Sequence, residues 1–414
     1  MKPAIRSSLK GFRNFRHFAG LAMLAAMLPF TTGYGQPQKP DGATGADVPA
    51  ATKTEIAKLQ SANLRERADA IMSLRYLNKK AEAAIPHLIH MLGSETEFPQ
   101  ARLLMSSLST ITKSCSSECT FGGEAAETLA RIGKMSDDLL ALPKSDNWRI
   151  RANAIRALGG LKDRRAAGEV IAILDQKEER WEVKGNAALA LGLMGELRAA
   201  KPLIALLNDQ NAHLRASAAT ALGPLKAPGS LQPLIATLKD RDPQVRIKAA
   251  VSLGRLGDSD AVEPLIQALQ EEDQQVREVA AGALRNYKDQ RATKALIAAL
   301  QDSYGNVRIN AAGALGQTKS PEAVEPLVGL LTNDNESIRG AAATALGELG
   351  DARAGEALLA MVRREDSEIA ILRGLQALAK LGHPGAAKAL KQHSYQRADW
   401  NEWWSQNKTN LLDR

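Results

Sequence analysis

Aromatic side chains make up only 4% of the 414 residues: six Phe, five Tyr and five Trp. Five of these, Phe12, Phe15, Phe18, Phe30 and Tyr34, fall in the first 35 positions. A conventional domain of this size anchors its core with more aromatic area, so the remainder must pack Ala and Leu, which suits closely spaced helices. The two cysteines are too few for a disulfide-knit scaffold. The sequence also has no P-loop, no G-x-G-x-x-G after a strand, no H-E-x-x-H and no G-x-S-x-G, so it supplies no residues for the chemistry those motifs perform. A large charge excess is missing too, despite a net charge of +8. Lys2, Arg6, Lys10, Arg13 and Arg16 lie in an acid-free stretch of 35 residues; without these five of the 54 basic residues, 49 face 46 acids. A mature charge so close to balance speaks against a nucleic-acid partner.

Those basic residues lead into the uncharged run Phe18–Phe30, then the small residues Gly33 and Gly35. Thirteen residues are too short for a normal membrane span but fit the apolar region of a secretory signal. The pattern predicts a signal peptide over 1–35, cleavage before Gln36, and export to a bacterial periplasm or the medium. No membrane segment would then remain. A mitochondrial presequence or an uncleaved anchor shares part of the pattern. Residues 36–52, rich in Pro, Gly and Ala, read as a flexible linker. Cys115 and Cys119 close a very short loop. An oxidising compartment would let them pair, adding roughly 2 kcal/mol at most; two free thiols or a metal or redox site are the alternatives. No His or second Cys pair lies nearby to complete a zinc set.

What the sequence does contain is a repeat. A basic marker recurs at Arg151, Lys184, Arg215, Arg246, Arg277, Arg308 and Arg339, with one interval of 33 residues and then 31 each time. Relative to it, position −1 is always aliphatic (Ile150 to Ile338), +3 always Ala (Ala154 to Ala342) and +7 always Leu (Leu158 to Leu346). This is one apolar face of a helix, here called B. Asn147, Asn211, Asp242, Asp273 and Asn335 stand at its N-cap position, with Arg180 and Tyr304 as exceptions. Pro243 fits the first helical position, and Gly257 and Gly350 the end. A second helix, A, reads Pro-Leu-Ile-x-x-Leu, as in Pro202–Leu207 and Pro264–Leu269. Two such helices cannot bury a core alone, but stacked pairs can.

The stretches AVEPLIQAL (261–269), QVRIKAAVSLGRLGD (244–258) and SIRGAAATALGELGD (337–351) resemble HEAT-like repeats of the phycobilisome-lyase type over residues 145–390, roughly 60% of the chain. The resemblance and the period together predict an all-α fold: a right-handed α-solenoid of about ten stacked helix pairs. Irregular repeats are expected over 53–144, regular ones over 145–393, and a C-terminal cap and tail over 394–414. In the cap, Trp400, Trp403 and Trp404 share one helix face and would cover the last repeat; a W-x-x-W-W tail also resembles the ends of other bacterial HEAT-like proteins.

The resemblance implies that helix B lines the concave surface. Helical arithmetic turns positions −2, +1, +2, +5 and +9 away from the apolar face. The candidate partner-binding residues are therefore Arg149, Asn153, Arg156, Asn186, Thr220, Lys248, Arg255 and Asn310, joined by Trp148 and Trp181 at position −3 of adjacent repeats. The Trp pair is either an aromatic anchor or filler beside the 33-residue repeat. The acids six residues before the markers, Asp209, Asp240, Glu271 and Asp302, suggest an Arg–Asp ladder between repeats. The leading expectation is a non-catalytic scaffold for a protein or peptide, with no catalytic residues, no metal and no cofactor. An enzyme accessory related to bilin lyases is the alternative, but those act in the cytosol. A deoxyhypusine hydroxylase, another HEAT-like enzyme, would need His-Glu pairs, and none of the six His is followed by Glu.

Overall fold

The computed structural model describes residues 48–94 and 120–394. The expected signal, both cysteines and the Trp400–Trp404 helix lie outside the described residues. The chain begins with α1 (Ala50–Lys58), α2 (Leu64–Leu77), α3 (Ile85–His90), α4 (Phe121–Ile132) and α5 (Asp137–Ala141). The B helices follow as α6 (Trp148–Leu161), α8 (Trp181–Met194), α10 (Ala212–Leu225), α12 (Pro243–Leu256), α14 (Gln274–Leu284), α16 (Gly305–Thr318), α18 (Glu336–Leu349) and α20 (Glu368–Lys380). They alternate with the A helices α7 (Ala167–Asp175), α9 (Ala200–Leu206), α11 (Leu231–Thr237), α13 (Val262–Ala268), α15 (Thr293–Ala299), α17 (Val324–Leu330), α19 (Gly355–Arg364) and α21 (Gly385–Ser394). Packed pairs repeat from end to end, as an α-solenoid requires. One boundary shifts: α1 starts inside the segment expected to be linker, because buried Thr52 docks it, its hydroxyl donating to Lys80 O at 3.0 Å.

The core is the one the period marks out. Leu158, Leu191, Leu222, Leu253, Leu315 and Leu346 at +7 are fully buried, as are Ala154, Ala187, Ala218, Ala249, Ala280, Ala311 and Ala342 at +3. The expected caps form: Asn147, Asn211, Asp242, Asp273 and Asn335 each accept an N–H from the first turn of their B helix. Arg180 and Tyr304 supply no side-chain cap.

Successive B helices pack flank to flank, whereas successive A helices barely meet, which puts B on the tighter side of the stack. The cause is a glycine column at +8. A Cβ added to Gly159 or Gly192 would lie 2.7 Å from Cα of Ala190 or Ala221 in the next B helix. Gly223, Gly254, Gly316 and Gly347 face Ser252, Ala283, Ala345 and Ala377 in the same way. At this position only hydrogen lets the backbones approach. Arg285 occupies the column just past α14, and that helix ends after 11 residues where its neighbours run 14. Beyond its end, Asn286 Nδ2 donates to Gly254 O at 3.1 Å and the Tyr287 hydroxyl to Leu253 O at 2.5 Å, side-chain bonds replacing close packing.

A paired prediction follows. Gly192→Ala should destabilise by up to about 2 kcal/mol, because overpacking of roughly 1–3 kcal/mol outweighs a helix-propensity gain of about 1 kcal/mol. Gly329→Ala, in a helix where nothing lies within 4 Å of the added methyl, should stabilise by about 0.5–1 kcal/mol. Urea unfolding of both variants checks the sign reversal.

Candidate protein-binding face

The marker arginines are structural, and their geometry is specific. Arg215 lays Nε and Nη2 on the Asp240 carboxylate of the next repeat, at 2.7 and 2.8 Å. Its Nη1 donates to Asp209 O and Gln210 O of its own repeat, at 2.9 and 3.0 Å. Arg151 with Glu179, Arg277 with Asp302 and Arg339 with Glu365 repeat the fork. Asp240 and Asp302, six residues before Arg246 and Arg308, therefore serve the preceding marker with their carboxylates and their own marker with their carbonyls, while Arg246 meets Glu271 only at 3.6 Å and its Nε is buried without a hydrogen-bond partner. The acids also accept the backbone N–H two residues on, as Asp240 does from Asp242 at 2.8 Å. Arg277 hydrogen bonds hold the Asp302 carboxyl below its ordinary range. Burial alone would raise Asp240, but the Arg215 hydrogen bonds, the Asp242 amide and the nearby arginine charges together lower it. Asn333 stands where Arg308 would meet an acid, and Arg308 Nε is buried without a hydrogen-bond partner.

A second series of ion pairs was not anticipated. At the turns from B to A, Asp163, Glu196, Asp289 and Asp351 cap the short 3-10 turn that leads into the A helix and grip the Arg two residues on: Arg165, Arg198, Arg291 and Arg353. The Arg198 side-chain hydrogen bonds, helped by its backbone N–H and by the charges of Arg198 and Arg164, hold Glu196 down to about 2 against its burial. The [Asp/Glu]-x-Arg-Ala tetrad is visible in the sequence as KDRRA, GELRA, KDQRA and GDARA.

The outward columns of helix B open to solvent unequally. Positions −2 and +9 hold most of the exposed side chains, and +2 and +5 are half-buried. Position +1, expected outside, is largely closed: Ala152, Gly185, Ile247 and Gly340 are buried. The close approach of neighbouring B helices covers that flank.

Among the candidate residues, several are tied to the fold. Asn153 Nδ2 donates to Leu92 O at 2.8 Å, and Asn310 Nδ2 to Glu278 O at 3.0 Å, each pinning its helix to the repeat before. The Thr220 hydroxyl donates to Ala216 O at 2.7 Å. Arg255 is exposed, while Arg156, Asn186 and Lys248 are half-buried. Trp148, half-buried, carries the guanidinium groups of Arg149 and Arg180 over its ring, at 4.5 and 4.3 Å from the centroid. Trp181 stacks on His213 of the following repeat, ring centroids 4.8 Å apart and 20° between planes. The two Trp thus belong to a cation–aromatic series across three repeats. Arg180 and His213 complete it, and neither was among the candidates.

A comparison with known families agrees with this architecture. A family profile described as HEAT repeats matches residues 136–223, 169–241, 231–304 and 293–379. Among solved structures, YibA of Escherichia coli is 23% identical, with a TM-score of 0.48, over 65% of this chain and 99% of that one. The complex of CpcE and CpcF of phycocyanin lyase from Nostoc sp. PCC7120 is 23% identical, with a TM-score of 0.38, over 60% and 95%. Kap121p is 14% identical, with a TM-score of 0.49, over 83% and 46%. No curated protein matches the chain. The profile matches together span more than half of the sequence, and the chain belongs to the HEAT-repeat family.

Proposed function

We propose that this protein is a non-catalytic scaffold that acts outside the cytoplasm and holds a protein or peptide partner against the face lined by helix B. One observation carries the reading. On that face the side chains between the core columns differ from repeat to repeat, while the core, cap and arginine columns are nearly constant. Packing accounts for the constant columns. The varied ones sit together on the tighter side, where a partner can touch several repeats at once. HEAT-repeat solenoids commonly serve as such interaction surfaces, and the basic-then-apolar sequence before Gln36 supports export.

Photo-crosslinking in the native host tests the surface. A photoreactive residue at Asn186 or Thr220 should trap one and the same protein, and one at Gln232 or Gln267, on the exposed flank of the A helices, should not. Trp181→Ala with Asn186→Ala should weaken that partner at least thirtyfold, about 2 kcal/mol, with unchanged circular dichroism. Equal trapping from both faces, or undiminished affinity, overturns the site. The mass of the mature chain tests export: it should begin at Gln36, and an intact Met1 in a cytosolic pool overturns that part.

A further inference from the structure

Positions +5 and +9 are one helical turn apart and share a face. In three successive B helices they are mostly apolar: Leu189 and Leu193 on α8, Thr220 and Pro224 on α10, Val251 on α12. Leu193 is 37% exposed and Leu197, just past the end of α8, 54%. Pro224 is exposed and the others half-buried. The Thr220 hydroxyl is already bonded to its own helix. In the flanking repeats the same columns carry no apolar side chain: Arg156 and Gly160 before, and Gly282, Asn286, Gly313 and Gln317 after.

Within the columns of this face the charges are of one sign. From the Arg151 repeat to the Arg308 repeat, positions +2, +5 and +9 contain no acid and three cations, Arg156, Lys248 and Arg255; Arg285 adds a fourth at +8. Acids on these repeats lie in other columns and are engaged: Glu182 with Arg180 at 3.2 Å, Glu278 with Asn306 at 3.4 Å and Glu196, beside Leu197, with Arg198 at 2.8 Å. An apolar centre with cations at both ends complements a segment whose apolar side chains are flanked by carboxylates. Apolar contact would supply affinity, and the charges orientation and encounter rate. A nucleic acid would need a continuous track of cations in place of the apolar centre. A bilayer surface would have to reach the tighter side of the stack.

We infer that helices α8, α10 and α12 bind an acidic amphipathic segment of the partner protein. This rests on the scaffold reading and narrows it to a chemical class. At about 9 Å between neighbouring helices, the distance from Arg156 on α6 to Arg285 past α14 is roughly 36 Å, or about 24 residues of helix.

The test uses the full mature chain and two fluorescein-labelled helical peptides of about that length. One carries Leu at i, i+3 and i+4 spacing with Glu elsewhere; the other has Lys in place of Glu. Fluorescence anisotropy at low salt should show saturable binding of the Glu peptide and none of the Lys peptide. Leu193→Asp should weaken the Glu peptide at least tenfold, and so should Arg255→Glu, an exposed change that leaves the core alone. Gln267→Glu on helix A should leave affinity unchanged. Three results overturn the inference: equal binding of both peptides, affinity surviving both Leu193→Asp and Arg255→Glu, or anionic phosphatidylglycerol vesicles or a single-stranded oligonucleotide outcompeting the Glu peptide. Failure here is separable from failure of the scaffold reading. A partner trapped from Thr220 through a segment that is not acidic and amphipathic ends this inference and leaves the scaffold standing.

Discussion

Leu253→Ala should cost about 2–5 kcal/mol and be felt well beyond its own helix. Leu253 is fully buried in the middle of the stack, with Leu222 and Leu284 at the same position on either side, both buried. The size of the loss depends on whether the site can collapse around the missing atoms. Here collapse is restrained. The adjacent Gly254 already places α12 against α14, where an added Cβ would come within 2.9 Å of Ala283, and Tyr287 holds the Leu253 carbonyl from the next repeat. The helices cannot move closer, so the cavity stays open. Because each repeat contacts only its neighbours, amide exchange should accelerate together in α10, α12 and α14, with α6 and α20 less affected. Denaturant unfolding gives the magnitude and hydrogen exchange the spread. Wild-type-like unfolding would mean that the +7 column is not the core.

The core columns were legible because they depend on one helix and a fixed period. Leu253 and Ala249 are set by the spacing along α12 alone, and so are caps such as Asp242. Features that join neighbouring repeats were legible only in part. The Leu-Gly dipeptide stands in six of the seven repeats, yet the glycine matters only because Ala221 or Ser252 approaches it from a helix about 30 residues away. The acid at −6 and a ladder between repeats were visible, but not the direction of the ladder: Asp240 serves Arg215, 25 residues earlier. Trp148 and Trp181 stood out as a pair, while their partners Arg180 and His213 did not, because contact between repeats depends on how the helices stack. The closure of position +1 has the same origin. Helical arithmetic treats one cylinder in water, and α12 has another B helix on each side.

Arg215→Leu should then show what the ladder contributes. The Arg215 and Asp240 side chains are 5% and 11% exposed. The substitution keeps part of the aliphatic bulk but strands the carboxylate with the Asp242 amide, leaves Asp209 O without its side-chain donor and Gln210 O with Arg241 alone. Removing one member of a buried ion pair costs about 3–5 kcal/mol, and the partial access of water to Asp240 places this case near 3 kcal/mol. The pH dependence separates lost charge pairing from lost packing. Asp240 titrates below its ordinary value in the folded chain, so the unfolded state takes up a proton first as pH falls. The pair's contribution is therefore complete at neutral pH and down to the unfolded carboxylate range near 4. It is lost as pH drops through the lower folded value. The stability gap between wild type and Arg215→Leu should be constant from pH 7 to about pH 5 and narrow below pH 4. Asp240→Asn should show the same narrowing, with a smaller loss, because the amide oxygen can still accept from Arg215 and from the Asp242 N–H. A gap that persists unchanged at acid pH would assign the effect to packing of the arginine stem and remove the ladder from the account of how the repeats are joined.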